Sequence, residues 1–391
     1  MNPRFWGAAY YFLFFSAVGL WFPFLNLHYQ QNVGLGQQQI GLLAALSTLV
    51  TLIGSPIWSG LADRLNIHKR LLTLVLIVAP VEVVILVQAR DFGVLIGLVS
   101  LQALLGAPIS ALADSAVLEL LGEERHRYGS LRFWGSVGFG LTAFGGGFII
   151  ERWGINAAIA GYLVLMWLAA VVTTRLPTPQ SVASPQLSDL AQILRDRRWI
   201  LLVLALVLAG ICASSLMNFF PLYMAQLGAS TSWYGFTTLA MAVSELPVFF
   251  IAPVLIARGM ARPLLMVSFV SFAMRALLAS LTHDPWFAIV PQIAHGLCFA
   301  ALWSASVAYA RQIAPPGWSA TAQSLLSVSF FGVGQGGGSL LCGWLYDTVG
   351  PVQMFQIASL FAIAALAVFM LSFRDPNSVT PVDPSPARPP A

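Results

Sequence analysis

The chain has 391 residues, 58% of them hydrophobic and 9% charged, with a formal net charge of +4. A soluble domain carries about 25% charged residues, so this composition excludes a water-soluble globular protein.

Apolar runs recur from one end to the other. They predict twelve spans, at 5–29, 38–62, 70–89, 92–119, 130–151, 155–176, 198–226, 232–257, 262–281, 284–311, 317–346 and 350–373. Each approaches or exceeds the ~20 residues needed to cross a hydrocarbon core. The reading is an all-α membrane protein whose first partner is the lipid bilayer. Met1 to Leu27 has one early charge, Arg4, and an apolar stretch too long for a signal peptide, so it reads as the first span. Cys212, Cys298 and Cys342 fall inside predicted spans and imply no disulfide framework.

Lys and Arg set the orientation. With both termini cytoplasmic, the inner loops hold Arg64, Lys69, Arg70, Arg125, Arg127, Arg175, Arg195, Arg197, Arg198, Arg258 and Arg262, and the termini add Arg4, Arg374 and Arg388. The outer loops hold Arg90 and Arg152. This is the positive-inside pattern of a multi-pass cell (inner) membrane protein. The basic excess faces the inner leaflet, and no nucleic acid is needed to explain it.

The chain divides into an N-terminal six-helix bundle (1–176), a cytoplasmic linker (177–197) with a short helix after Ser188, a C-terminal six-helix bundle (198–373) and a disordered Pro-rich tail (374–391). The halves echo each other. Phe22-Pro23-Phe24-Leu25 ends the first span and Phe220-Pro221-Leu222-Tyr223 ends the seventh. Gly34 precedes Gly41 as Gly228 precedes Gly235, and Glu151-Arg152-Trp153-Gly154 has its counterpart in Asp347-Thr348-Val349-Gly350. Such internal repeats mark alternating-access transporters, whose site lies near the midplane between the repeats.

A charge at the bilayer centre costs roughly 2.5–3.5 kcal/mol on insertion scales, so intramembrane charges normally face a wet cavity. Asp114 and Arg132 occupy such positions in the first half, and Glu245, Arg275 and His295 in the second. If substrate displaces Arg275, Glu245 is left to take a proton; if the pair re-forms, it gives one up. The bland alternative is a permanent ion pair tying the eighth and ninth spans. His295 ordinarily titrates near neutral pH and suits a relay. Arg132 offers a planar fork for carboxylates or paired hydroxyls; an interfacial salt bridge with Asp114 is the alternative. Glu82, after Pro80 in the third span, has no partner that the sequence reveals. Phe133, Trp134, Phe139, Phe299 and Trp303 lie near these charges, and an aromatic face there suits a ring. Gly332, Gly334 and Gly337 formally fit GxGxxG, but no strand precedes them, so no dinucleotide cofactor is implied. No HExxH or other metal or nucleophile cluster occurs, so an intramembrane enzyme is disfavoured and no cofactor is expected.

The loop Gly60-Leu61-Ala62-Asp63-Arg64-Leu65-Asn66-Ile67-His68-Lys69-Arg70 resembles the motif after the second helix of the major facilitator superfamily, with Asn66 in place of a glycine. The segment Tyr128-Gly129-Ser130-Leu131-Arg132-Phe133-Trp134-Gly135 resembles the fifth helix of the branch holding phenylpropionate permeases, nucleoside:proton symporters and lactose permeases. The resemblance implies twelve helices in two pseudo-symmetric bundles and a monomer. It implies substrate binding by Asp114, Arg132, Trp134, Phe139 and Glu245. Proton coupling would fall to Glu245, Arg275 and His295, and a conformational latch to Asp63, Arg64, Lys69 and Arg70. Cys298 stands where the lactose permease type has a second carboxylate. The implied function is proton-coupled symport of an aromatic acid, nucleoside or sugar. The rivals are a proton-driven exporter of drugs or metabolites and a non-transporting receptor.

Overall fold

A helix that is apolar on every side is stable in lipid because it satisfies its own backbone. The computed structural model, which describes residues 3–178, 196–314 and 319–374, contains twelve long helices. They are α1 (Arg4–Val33), α2 (Gln37–Leu65), α3 (His68–Leu86), α4 (Phe92–Glu124), α5 (Tyr128–Trp153), α6 (Ile155–Thr173), α7 (Arg197–Gln226), α8 (Thr231–Ala257), α9 (Ala261–Ser280), α10 (Pro285–Ile313), α11 (Thr321–Val349) and α12 (Pro351–Met370). Eleven are long and apolar enough to cross a membrane. The exception, α3, carries Lys69, Arg70 and Glu82 within its 19 residues. Among the described residues there is no strand. Most of the expected linker and nearly all of the expected tail, with the short helix after Ser188, lie outside the described residues.

Several predicted spans are not continuous helices. α4 is interrupted between Gly106 and Ile109, where Pro108 cannot donate a backbone hydrogen bond. α10 runs as a 3-10 turn at Pro285–Ala288, a short helix Ile289–Ile293 and a long one from His295. α7 and α11 widen into π turns at Ser215–Phe219 and Val328–Gly336. Single-turn π segments recur at functional sites, and broken helices line transporter sites.

The repeats read from the sequence acquire geometry. Gly34 and Gly228 end their segments at φ +82° and +85°, and Gly154 and Gly350 turn the chain at +77° and +86°. α2 packs on α11, and α5 on α8. A Cβ on Gly41 would lie 2.3 Å from the Ser339 carbonyl oxygen, and one on Gly235 2.7 Å from that of Ala143, so both helix pairs touch through backbone. The ends of these pairs are joined by acidic caps. Asp347 accepts from the backbone N–H of Gln37 (3.3 Å) and Gln38 (2.8 Å). Glu151 accepts from the backbone N–H of Ser232 at 2.9 Å. Each carboxylate meets the positive end of a helix from the other half.

The loop after α2 shows why asparagine replaces the expected glycine. Asn66 caps α2 at φ +50°, the left-handed region that asparagine tolerates. Asp63 pairs with His68 at 2.8 Å, a partner not foreseen from sequence. Lys69 donates to the carbonyls of Thr174 (2.9 Å) and Leu176 (2.7 Å) just beyond α6. Arg64 and Arg70 are exposed. These contacts tie α2, α3 and α6 within the first half.

Candidate functional site

A cavity of about 420 Å³ opens between the halves, within the range of small-molecule pockets. From the first half it receives Phe22, Asn26 and Tyr29 of α1, Ser47 and Thr48 of α2, Gln102 of α4 and Phe139 of α5. From the second it receives Asn218 of α7, Tyr234, Thr238 and Met241 of α8, Gln292 of α10, and Gln335 and Ser339 of α11. Asn218 and Gln335 sit on the π turns, which break the regular helical face and place an amide in the wall. Asn26 donates to Asn218 Oδ1 at 3.4 Å across the halves, and Asn218 donates to Ser339 at 3.0 Å. The wall sets amides, hydroxyls and aromatic rings among aliphatic side chains such as Leu25, Leu43, Val99 and Leu216, with no formally charged side chain.

Behind Gln292 runs a buried polar chain. Arg275 on α9 is 1% exposed. Its guanidinium donates to the Pro291 carbonyl at 2.8 Å, to Gln292 Oε1 at 2.6 Å and to His295 Nδ1 at 2.7 Å. Guanidinium has only donors, so Nδ1 of His295 must accept. The ring proton is therefore on Nε2, which lies 3.0 Å from Glu245 Oε1 and donates to it. The order is Gln292, Arg275, His295, Glu245. The sequence suggested a direct Glu245–Arg275 pair; among the described residues no such pair forms, because the imidazole stands between the two.

Gly296 makes this arrangement possible. Its backbone N–H donates to Ser244 Oγ at 3.0 Å, and a Cβ there would fall 2.0 Å from the Ser244 carbonyl oxygen. α8 and α10 thus touch through backbone at the residues beside Glu245 and His295. The break in α10 at Ala294 starts its long helix at His295. His295 stacks on Phe299 with ring centroids 5.9 Å apart, and Phe299 on Trp303 at 6.4 Å. Cys298 is buried, with Sγ 3.3 Å from the Ala294 carbonyl oxygen, and packs in the core.

Asp114 and Arg132 share a second, smaller cavity of about 30 Å³ with Tyr10, Tyr11, Phe14, Phe15 and Ser110. Tyr11 donates to Asp114 Oδ1 at 2.6 Å. The Arg132 guanidinium carbon lies 3.8 Å from the Phe15 ring centroid and 5.4 Å from that of Tyr11. Among the described residues Asp114 and Arg132 make no direct ion pair. Phe15 lines the small cavity and Val18, one helical turn on, lines the large one.

Of the expected site residues, the structure brings together Glu245, Arg275 and His295, and separately Asp114 and Arg132. Phe139 lines the large cavity, whereas Trp134 is 47% exposed and lines neither cavity. Sequence reasoning missed Tyr11, Gln292, Asn218 and Gln335. Only Tyr11 carried a hint, in the Tyr10-Tyr11 pair within the apolar stretch 5–15.

The comparisons with known proteins agree with this architecture. The profile of the MFS_1 like family matches residues 6–357. Maltose permease of Geobacillus stearothermophilus is 29% identical over 94% of this chain and 95% of its own length. Sucrose permease of Escherichia coli is 22% identical over 94% of this chain and 91% of its own. The crystal structure of the nucleoside transporter NupG superposes with a TM-score of 0.83 at 16% identity, covering 96% of this chain and all of the other; at that identity it speaks for the fold alone. The family profile covers nine-tenths of the sequence and the relatives align end to end, so the chain belongs to the MFS_1 like family of the major facilitator superfamily, and is a multi-pass membrane transporter rather than an enzyme.

Proposed function

We propose that this protein is a proton-coupled symporter of a neutral, polyhydroxylated solute, a sugar in the first instance. The observation that carries the reading is the wall of the central cavity. Asn26, Gln102, Asn218, Gln292 and Gln335 offer paired donors and acceptors, and Tyr29, Tyr234 and Phe139 offer ring faces. Neutral amides match hydroxyls without the desolvation cost of burying charge. An aromatic acid would call for a cation without an acid beside it; the central wall holds none, and Arg132 in the smaller cavity is accompanied by Asp114. The maltose and sucrose permeases among the relatives favour the same class.

Coupling follows from the polar chain. Gln292 faces the cavity and accepts from Arg275. A hydroxyl that takes over Gln292 loosens one of three anchors of the guanidinium. Arg275 then shifts on His295, and the Nε2–H contact to Glu245 weakens. Glu245, with less donor support, takes up a proton and neutralises for the return movement. Re-forming the chain expels that proton. Asp114 on α4 and Arg132 on α5, in the smaller cavity that Phe15 lines one turn along α1 from Val18, supply further hydroxyl contacts, and Asp63, Arg64, Lys69 and Arg70 act as a latch that steadies one conformer. The Lys and Arg distribution supports cytoplasmic termini.

The test is counterflow in proteoliposomes with a panel of maltose, sucrose, a nucleoside and phenylpropionate. Exchange of a sugar alone, with accumulation driven by an inward proton gradient, is the expected result. Exchange of phenylpropionate without sugar would refute the sugar reading. Accumulation under the opposite gradient would favour an exporter.

A further inference from the structure

Glu82 lies about one turn from the C-terminal end of α3 and lines neither of the cavities described above. It is 5% exposed, and neither carboxylate oxygen has a hydrogen-bond partner. An ionised carboxylate left without donors in a protein interior is among the costliest of buried groups. Two more unpaired polar atoms belong to the same region. The Tyr29 hydroxyl is buried without a partner, and so is the indole nitrogen of Trp21, whose ring lies 5.3 Å from that of Tyr162. Glu82 acts electrostatically on the hydroxyls of both Tyr29 and Tyr162. Those are the titratable groups that face it, one from α1 and one from α6. α4, which also packs on α3, presents none to it, and no basic side chain among the described residues acts on it. Tyr29 also lines the central cavity.

We propose that Glu82 is a second proton-binding site of this transporter, set in the first half behind Tyr29 at the wall of the central cavity. The entering proton comes from cavity water. It adds to a carboxylate oxygen of Glu82, leaving a neutral acid; the Tyr29 hydroxyl, which makes no hydrogen bond to that carboxylate, keeps its own proton. A proton fits this place better than a metal cation. Hard cations take about six or more oxygens, whereas the unpaired oxygens here are two of Glu82 and one of Tyr29. The site lies in the opposite half from Glu245, so it stands whether or not Glu245 carries the coupling proton.

Infrared titration of the purified full chain reads this directly. In substrate-free protein, a protonated-carboxyl stretch is expected to grow as pH falls. It is expected to be lost in Glu82→Gln and retained in Glu245→Gln. Glu82→Asp keeps an acid and is expected to shift the band, which covers an amide variant that does not fold. A band unchanged in both Glu82 variants overturns the proposal. So does a thermal-stability gain on adding sodium chloride, over an equal concentration of choline chloride, that wild type shows and Glu82→Gln lacks, since that result makes the ligand a metal cation.

Discussion

The two charged sites are built in opposite ways. In the second half the groups are linked in series: Arg275 donates to Pro291, Gln292 and His295 and touches Met241 Sδ, His295 has both ring nitrogens engaged, and Glu245 accepts at Oε1. In the first half Asp114 has the hydroxyls of Tyr11 and Tyr128 and Arg132 leans on aromatic rings, while the two charges make no direct pair. A linked chain can change state only by breaking, which suits a coupling device. Arg132, held against rings and bonded to no acceptor among the described residues, keeps its donors in hand, which suits a guest. The same inventory of a carboxylate and an arginine therefore serves different ends according to what fills the space between them, an imidazole in one case and open volume in the other.

The sharpest way to break the comparison is to dismantle the linked chain. Arg275→Leu leaves His295, Gln292 and the Pro291 carbonyl without their donor, at about 1–3 kcal/mol for each unsatisfied group. Thermal unfolding in detergent is expected to show a larger loss for it than for Gly296→Ala, Tyr11→Phe or either acidic-cap variant. Next comes Gly296→Ala. Its methyl collides with the Ser244 carbonyl, and overpacking of this kind costs about 1–3 kcal/mol. It is expected to part α8 from α10 and weaken proton coupling more than sugar exchange, measured as the ratio of accumulation to counterflow. Tyr11→Phe removes one hydrogen bond from Asp114, worth about 1.5–3 kcal/mol when the partner is charged. The account predicts weaker sugar affinity with an unchanged pH profile; an altered profile with unchanged affinity would erase the distinction between the halves. The smallest effect belongs to the acidic caps. Glu151→Gln and Asp347→Asn are each expected to cost no more than about 0.5–2 kcal/mol, and together to shift the balance of conformers. Accessibility of a single cysteine placed in the cavity checks that shift.

Much of the fold was legible because lipid leaves a plain imprint. Long apolar runs gave all twelve helices, and charges inside them stood out against a silent background. The repeat motifs were readable too, since Gly34 and Gly228 must adopt left-handed conformations and Gly41 and Gly235 must let backbones touch. The cavity wall was not legible. Asn218, Gln292 and Gln335 are neutral, and a helix apolar on its lipid face and its packed face gives no periodicity that says which residue points inward. The breaks in α4 and α10 were missed for a similar reason, as hydropathy runs straight through Pro108 and Ala294. Nor does sequence show that His295 separates Glu245 from Arg275; that depends on how closely Gly296 lets two helices approach.

The central claim is that Glu245 carries the coupling proton while the sugar is held elsewhere. Its most direct test is Glu245→Gln in proteoliposomes, comparing counterflow with gradient-driven accumulation of the same sugar. The account predicts that counterflow persists and accumulation is lost. Accumulation at the wild-type level in that variant would contradict it.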